Sequence, residues 1–257
     1  MAWCVYLLNV KVLRMTLDYQ REFAGAQGYE QAVQDFHSLY YLRLNQRRQE
    51  HLATLGLPLA GKHVWEVSAG IGDHTTFFID RGCKVLCTEA RPELAKCLSQ
   101  RFPNVEVRLL DLDDPVVDFP SGFDLIYCYG VLYHLQFPGK TLAFLAARCR
   151  EILLIETCVG AGDEEAENPV DEPKEFPSQA VSGKGCRPSR AWVFSRLKSL
   201  FPHVYVPVTQ PWHEQFPVDW GEKTEHPILE RAIFIASRVA LDNSNLVQEL
   251  PLKQIRH

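Results

Sequence analysis

The chain has 257 residues, 46% of them hydrophobic and 23% charged, which suits one large folded domain with elaborations and excludes a disordered or fibrous chain. Its net charge of −5 argues against a broad nucleic-acid-binding surface. That charge is uneven, because residues 161–176 hold seven acids against Lys174 and the remainder is close to neutral.

Residues 1–15 form an apolar run with no basic residue ahead of it, too short to span a bilayer. It reads as an element packed on the domain or as a partner-binding arm, and nothing else approaches transmembrane length. Tyr29, Val33, Phe36, Tyr40 and Leu44 recur at helical spacing and predict a helix over 28–55. Arg43, Arg47, Arg48 and Glu50 fall on its other faces. Tyr40, Tyr41 and Arg43 are candidates for ligand contact, against the plainer reading of a core stripe with a solvated basic face. Residues 1–59 are thus expected to cap the main domain, assigned to 60–240, with 241–257 as a tail.

Residues 64–75 read as a buried strand, a tight turn carrying Gly70 and Gly72, and a helix start at Asp73 and Thr75. A strand–Gly-x-Gly–helix unit is the nucleotide cradle of an open α/β sheet. Lys84–Glu89 is the second strand and ends in an acid. Pro92 opens a helix to about Arg101. Residues 105–110 form the third strand and run into Asp111, Leu112, Asp113 and Asp114. Residues 123–128 form the fourth and run into Tyr129-Gly130-Val131-Leu132-Tyr133-His134-Leu135. A helix is expected at 141–150, the fifth strand at 151–157, a helix at 189–201, the sixth strand at 204–208 and the seventh at 232–236.

Ligands of open α/β sheets gather beyond the carboxyl ends of the strands. That rule brings two long excursions, 158–188 and 209–230, to the site as substrate loops. The acidic stretch 161–176 is expected to be mobile. From Gln179 onward, Lys184, Arg187 and Arg190 ahead of a helix start favour an anion or a carbonyl, and Trp212 and Trp220 offer rigid walls for a planar or sugar-faced substrate. None of the eight cysteines forms a Cys-x-x-Cys pair and the nine histidines are scattered, so no metal site is expected and the thiols read as reduced in a cytoplasmic protein.

Glu66-x-x-x-Gly70-x-Gly72 resembles the first motif of class I S-adenosylmethionine-dependent methyltransferases, with Ser68 where that family usually has its first glycine. Thr75 fits a dinucleotide oxidoreductase poorly. The Gly130–Leu135 segment is similar to the one after the fourth strand of many small-molecule methyltransferases. The resemblance covers roughly residues 60–240. It implies an α/β fold with a seven-stranded, mostly parallel, doubly wound sheet whose last strand is antiparallel. It also implies S-adenosylmethionine as cofactor. Glu66, Ser68, Gly70, Gly72 and His74 would surround it. Glu89 with Ala90 would take the ribose hydroxyls, Asp111 with Leu112 the adenine, with Asp113 as a close rival to Asp111 that turn chemistry explains almost as well, and Gly130 the methionine part. Tyr129 or Tyr133 would lie against the sulfonium.

Methyl transfer needs a base only when the acceptor must lose a proton; His134 is the first candidate and His213 the second. Tyr40, Gln179, Arg187, Arg190, Trp212 and Trp220 are the candidate substrate contacts. The expected reaction is methyl transfer to oxygen or nitrogen of a small molecule, a secondary metabolite or a sugar, with no nucleic acid and no membrane. An RNA-nucleoside methyltransferase and a non-catalytic partner protein of the same fold are the alternatives.

Overall fold

The computed structural model describes residues 33–257 apart from 35, 117, 163 and 222–228, so the expectations for residues 1–32 lie outside the described residues. The elements in order are α1 Leu39–Thr54, β1 His63–Glu66, α2 Thr75–Ile79, β2 Lys84–Glu89, α3 Pro92–Arg101, β3 Glu106–Leu109 and β4 Phe123–Tyr129. There follow a 3-10 turn at Leu132–His134, α4 Pro138–Ala146, β5 Cys149–Val159, β6 Pro169–Asp171, β7 Lys184–Cys186 and α5 Arg190–Leu200. The chain ends with β8 His203–Pro207, β9 Thr209–Gln210, β10 Glu230–Ser237, β11 Leu246–Val247 and β12 Ile255–Arg256.

Eight strands form one sheet in the order β11-β8-β10-β5-β4-β1-β2-β3. β1, β2, β3, β4 and β5 pair in parallel, and β10 inserts antiparallel between β5 and β8. This is the expected mostly parallel sheet with an antiparallel seventh strand, here β10. Central strands covered on both faces must be apolar throughout. Ile152, Leu153, Leu154 and Ile155 meet that demand on β5 and are all buried. Alternate side chains feed two cores. On one face Trp65, Ile126, Leu153 and Phe234 pack with Leu142 and Leu145 of α4 and Val193 and Leu197 of α5. On the other, Val64, Leu125, Leu154 and Ile235 pack with Leu44 and Leu52 of α1, Phe77 and Phe78 of α2 and Leu98 of α3.

Three expectations change. The helix expected at 141–150 starts at Pro138, whose fixed φ and missing N–H suit a first position, and ends before Cys149, where β5 begins. Residues 240–257 are no free tail. β11 pairs with the β8 edge, and β12 pairs in parallel with β9. Trp220 Nε1 and Gln210 Nε2 both donate to Gln254 Oε1, and Gln254 Nε2 donates to the carbonyl of Pro207. The acidic stretch is also ordered into a hairpin. β6 pairs antiparallel with β7, and Lys184 Nζ meets Asp171 at 2.5 Å. Arg187 Nη1 meets the next acid, Glu172, at 2.9 Å.

Candidate active site

The carboxyl ends of β1, β2 and β4 open into a cleft. Its floor is the turn after β1. Ser68 takes φ +49° and Gly70 φ +59°. A serine in this left-handed conformation is uncommon, and it gives the main chain the same path that a glycine would. Gly72, at φ +86°, does a different job. A Cβ there would lie 2.5 Å from Leu98 Cδ1 and Phe102 Cε2, so Gly72 lets α3 pack on the turn and does not line the cleft.

Two carboxylates flank the floor. Glu66, at the end of β1, is buried and accepts from Thr75 Oγ1 at 2.7 Å and Cys87 Sγ at 3.5 Å. Burial pushes its carboxyl up to about 7. Glu89, at the end of β2, accepts from the Gly70 N–H at 2.9 Å and, on its other oxygen, from the N–H groups of Ala90 at 2.9 Å and Arg91 at 3.1 Å. Burial raises this carboxyl and the three backbone donors oppose the rise.

Asp111, Leu112, Ala90, Tyr129, Gly130, Tyr133, Gln179, Glu66, Ser68, Gly70, His74 and Glu89 all line the cleft, as do Arg48, Asn45 and Tyr41 of α1. Asp113 accepts from the N–H groups of Gln136 and Phe137 and so ties the loop after β3 to the start of α4. His74 bonds the Tyr127 hydroxyl at 2.5 Å, and burial lowers its pKa to about 3. It is a neutral wall. Tyr129 stacks on Tyr127 with centroids 4.2 Å apart. Tyr133 does not offer a free aromatic face, because the guanidinium groups of Arg187 and Arg231 each lie 5.1 Å from its ring centroid.

His134 faces the cleft from the 3-10 turn and contacts Glu172 through Nδ1 at 2.5 Å. Glu172 is held from three sides. Arg187 Nη1 donates to its second oxygen at 2.9 Å, the Ala180 N–H donates at 2.8 Å, and His134 completes the set. Burial alone would raise the Glu172 carboxyl; His134 and its other donors bring it down to about 2. With Glu172 ionised, the His134 Nδ1–H donates to it, which leaves Nε2 as the acceptor nitrogen. Burial lowers the imidazole pKa more than Glu172 raises it, so His134 is neutral at pH 7.

Other sequence candidates lie elsewhere. Trp212 is half exposed and donates to the carbonyl of His257 at 2.6 Å. Trp220 packs against the larger core beneath Arg190, whose guanidinium stands 3.8 Å from its ring centroid and donates to the carbonyl of Pro251. Those aromatic and cationic groups stitch the C-terminal segment to α5 and do not wall the cleft. Tyr40 donates to Gln215 Oε1 at 2.7 Å, and Tyr41 takes the cleft-facing position next to it. His213 is buried with its Nδ1 accepting from the Gln215 N–H, and burial lowers it to about 4; it does not line the cleft. Arg187 acts through Glu172 and not on the cleft surface.

The residues that sequence reading missed are Arg48, Arg231 and Glu172. Arg48 was expected on a solvated face but is 5% exposed. The available signal was Glu156, an acid directly after the apolar run Ile152–Ile155 of β5, which demands buried cations.

Residues 65–151 match the family model described as a methyltransferase domain. That match covers about a third of the chain, and the sheet order is that of the class I, S-adenosylmethionine-dependent methyltransferase fold. Among curated proteins, the tRNA U34 carboxymethyltransferase of Pseudoalteromonas translucida (strain TAC 125) is 32% identical over 113 residues, which is 42% of this chain and 35% of that protein. The matched segment therefore spans about a third of that relative's length. Among solved structures, the N-terminal domain of EvdMO1, determined with S-adenosylhomocysteine and D-fucose, is 20% identical with a TM-score of 0.56, over 75% of this chain and 81% of that one. The 1,6-didemethyltoxoflavin-N1-methyltransferase of Burkholderia thailandensis is 18% identical with a TM-score of 0.50, over 90% of this chain and 89% of its own. At these identities the structural likeness is one of fold.

Among the described residues no group of histidines, cysteines and acids could hold a metal ion, and no helix is long and apolar enough to cross a membrane. The seven described cysteines are free thiols.

Proposed function

We propose that the protein transfers a methyl group from S-adenosylmethionine to an oxygen or nitrogen of a small molecule. The observation that carries this reading is the left-handed Ser68–Gly70 turn standing between the carboxylates of Glu66 and Glu89, a stretch of bare main chain at a strand end. When bound, the cofactor supplies an electrophilic methyl on a sulfonium. The chain's own residues align and dry the reactants, the largest tasks in an in-line displacement. Glu89 would take the ribose hydroxyls and Asp111 the adenine edge. Gly130, at φ +79°, would admit the methionine end. His134 Nε2, its tautomer set by Glu172, would remove the acceptor's proton where the acceptor carries one.

A tRNA acceptor is the second reading, favoured by the tRNA-modifying relative that matches 42% of the chain. The net charge of −5 favours a small molecule over it.

Calorimetry tests the proposal. S-adenosylhomocysteine is expected to bind and NAD is not. Glu89→Ala should weaken S-adenosylhomocysteine binding by about 1–3 kcal/mol, the cost of unpaired hydrogen-bonding groups. Absence of S-adenosylhomocysteine binding to the parent protein would remove the reading.

A further inference from the structure

The start of α3 and the tip of the β6–β7 hairpin meet at a side chain that has no task in the reading above. Arg91 directs Nη2 at three carbonyls of the tip, those of Lys174 at 2.8 Å, Phe176 at 3.1 Å and Gln179 at 3.2 Å. Its side chain is 14% exposed. The hydrogens of one guanidinium nitrogen are shared among the three, and the positive charge gathers acceptors that would otherwise repel one another. Among the described residues, the hydrogen bonds between residues 173–181 and the fold outside the hairpin are those made by Arg91. Apolar packing adds little hold, because Phe176 and Val181 are 54% and 43% exposed. Where the loop returns, the Ser182 hydroxyl meets the Asp113 carboxyl.

The Gln179–Ala180 peptide carries this contact inward. Its C=O accepts from Arg91, and its N–H donates to Glu172 Oε2 at 2.8 Å. The peptide is trans, so it is planar, with C=O and N–H on opposite sides. Fixing the carbonyl therefore aims the amide, and a cation on the carbonyl also polarises the N–H toward its acceptor. Glu172 Oε2 is the oxygen that meets His134 Nδ1 at 2.5 Å, while Oε1 is held by Arg187 Nη1 at 2.9 Å. Without the Ala180 N–H, the carboxylate keeps Arg187 and is free to turn away from the imidazole.

The main chain of Arg91 works on the other side. Its N–H donates to Glu89 Oε1 at 3.1 Å. One residue thus stands between the carboxylate proposed for the donor's ribose and the base proposed for the acceptor. Arg91, His134 and residues 177–181 all line the same cleft.

We propose that Arg91 is a positioning residue for the base: through the Gln179–Ala180 peptide its guanidinium holds Glu172 on His134 and keeps the hairpin tip against the cleft. This rests on the methyltransferase reading, in which His134 is the base.

The test compares the full chain with Arg91→Met and Arg91→Gln, which remove the charge, and with Arg91→Lys, which keeps a charge and N–H donors without the planar fork. Hydrogen exchange of the amides in 172–183 and nitrogen NMR of His134 are read without ligand. Either neutral variant should speed exchange at Gln179 and Ala180 by about tenfold or more. It should also turn a His134 protonated on Nδ1 into a mixture of tautomers. Arg91→Lys should recover much of the slow exchange and of the Nδ1–H form. Melting temperatures and exchange in β4 and β5 check that the rest of the fold persists. Faster exchange at the tip with an unchanged His134 spectrum would overturn the proposal, because Arg91 would then only fasten the hairpin. Unchanged exchange at the tip would overturn it as well. Should S-adenosylhomocysteine fail to bind the parent, the methyltransferase reading falls, and the ligand-free spectra still decide whether Arg91 positions Glu172 on His134.

Discussion

Two residues of the turn after β1 show how similar backbone angles serve different ends. Ser68 and Gly72 both have positive φ, +49° and +86°. Ser68 tolerates its conformation as the price of bare main chain at the cleft floor. Gly72 has no room for a side chain at all, with Leu98 and Phe102 2.5 Å from where a Cβ would stand. Gly72→Ala should therefore cost on the order of 2–4 kcal/mol, combining left-handed strain with an overpacked contact. A urea melt would measure it, and a loss under about 1 kcal/mol would contradict the packing role. At this scale the sequence was legible where a residue's type is needed by its own backbone, as at Gly70, Gly130 and Glu89. It was not legible where the need comes from a distant partner. Arg48 and Arg231 stand 183 positions apart in the chain, and only the fold brings both to Glu156.

At the scale of elements, the β6–β7 hairpin is the piece that sequence reasoning misjudged. Its acids suggest a solvated, mobile stretch, yet it closes on the 3-10 turn and delivers Glu172 to His134. Gly185 makes the approach feasible. A Cβ on Gly185 would lie 2.7 Å from the Tyr133 carbonyl oxygen and 2.8 Å from Glu172 Oε1. Gly185→Ala should lift the hairpin and cost about 1–3 kcal/mol of stability. It should also loosen the His134 contact. Nitrogen NMR of His134 would follow this. The parent should carry its proton on Nδ1, and the variant should show a mixture of tautomers and a lower imidazole pKa, because the contact that raises it is weakened. An unchanged spectrum would remove Gly185 from that role. Strand order and element type were readable because period-2 and apolar runs are local signals. The hairpin was not, since its pairing depends on Lys184 and Arg187 meeting acids in the same excursion.

For the molecule as a whole, buried ionisable groups set the pH range of stability. His51, His74 and His213 have pKa values of about 4, 3 and 4 against an ordinary value of 6.5, burial being the largest cause in each. Between pH 6.5 and about 4 the unfolded chain binds protons at these sites and the folded chain does not, so stability falls as the pH falls. Glu66, raised to about 7, works the opposite way between pH 7 and 4.5, because there the folded chain holds the extra proton. His134 is lowered like these three, and the Glu89 and Asp113 carboxyls are raised like Glu66, so four imidazoles against three carboxyls leave a net loss, each fully unbalanced group being worth about 1.4 kcal/mol per pH unit. Midpoints of urea unfolding should accordingly drop from pH 6.5 downward. His51→Gln should flatten the slope, and a midpoint constant to pH 5 in both proteins would contradict the burial of neutral histidines.

The insertion of β10 between β5 and β8 carries a consequence for assembly. Glu156 is synthesised 75 residues before Arg231. Until β10 slots in, one flank of β5 has no neighbour and Oε1 of its acid lacks the donor that Arg231 brings. Closing the gap in the sheet and pairing that oxygen are one event, so a chain with its centre finished has this wall of its binding chamber finished too.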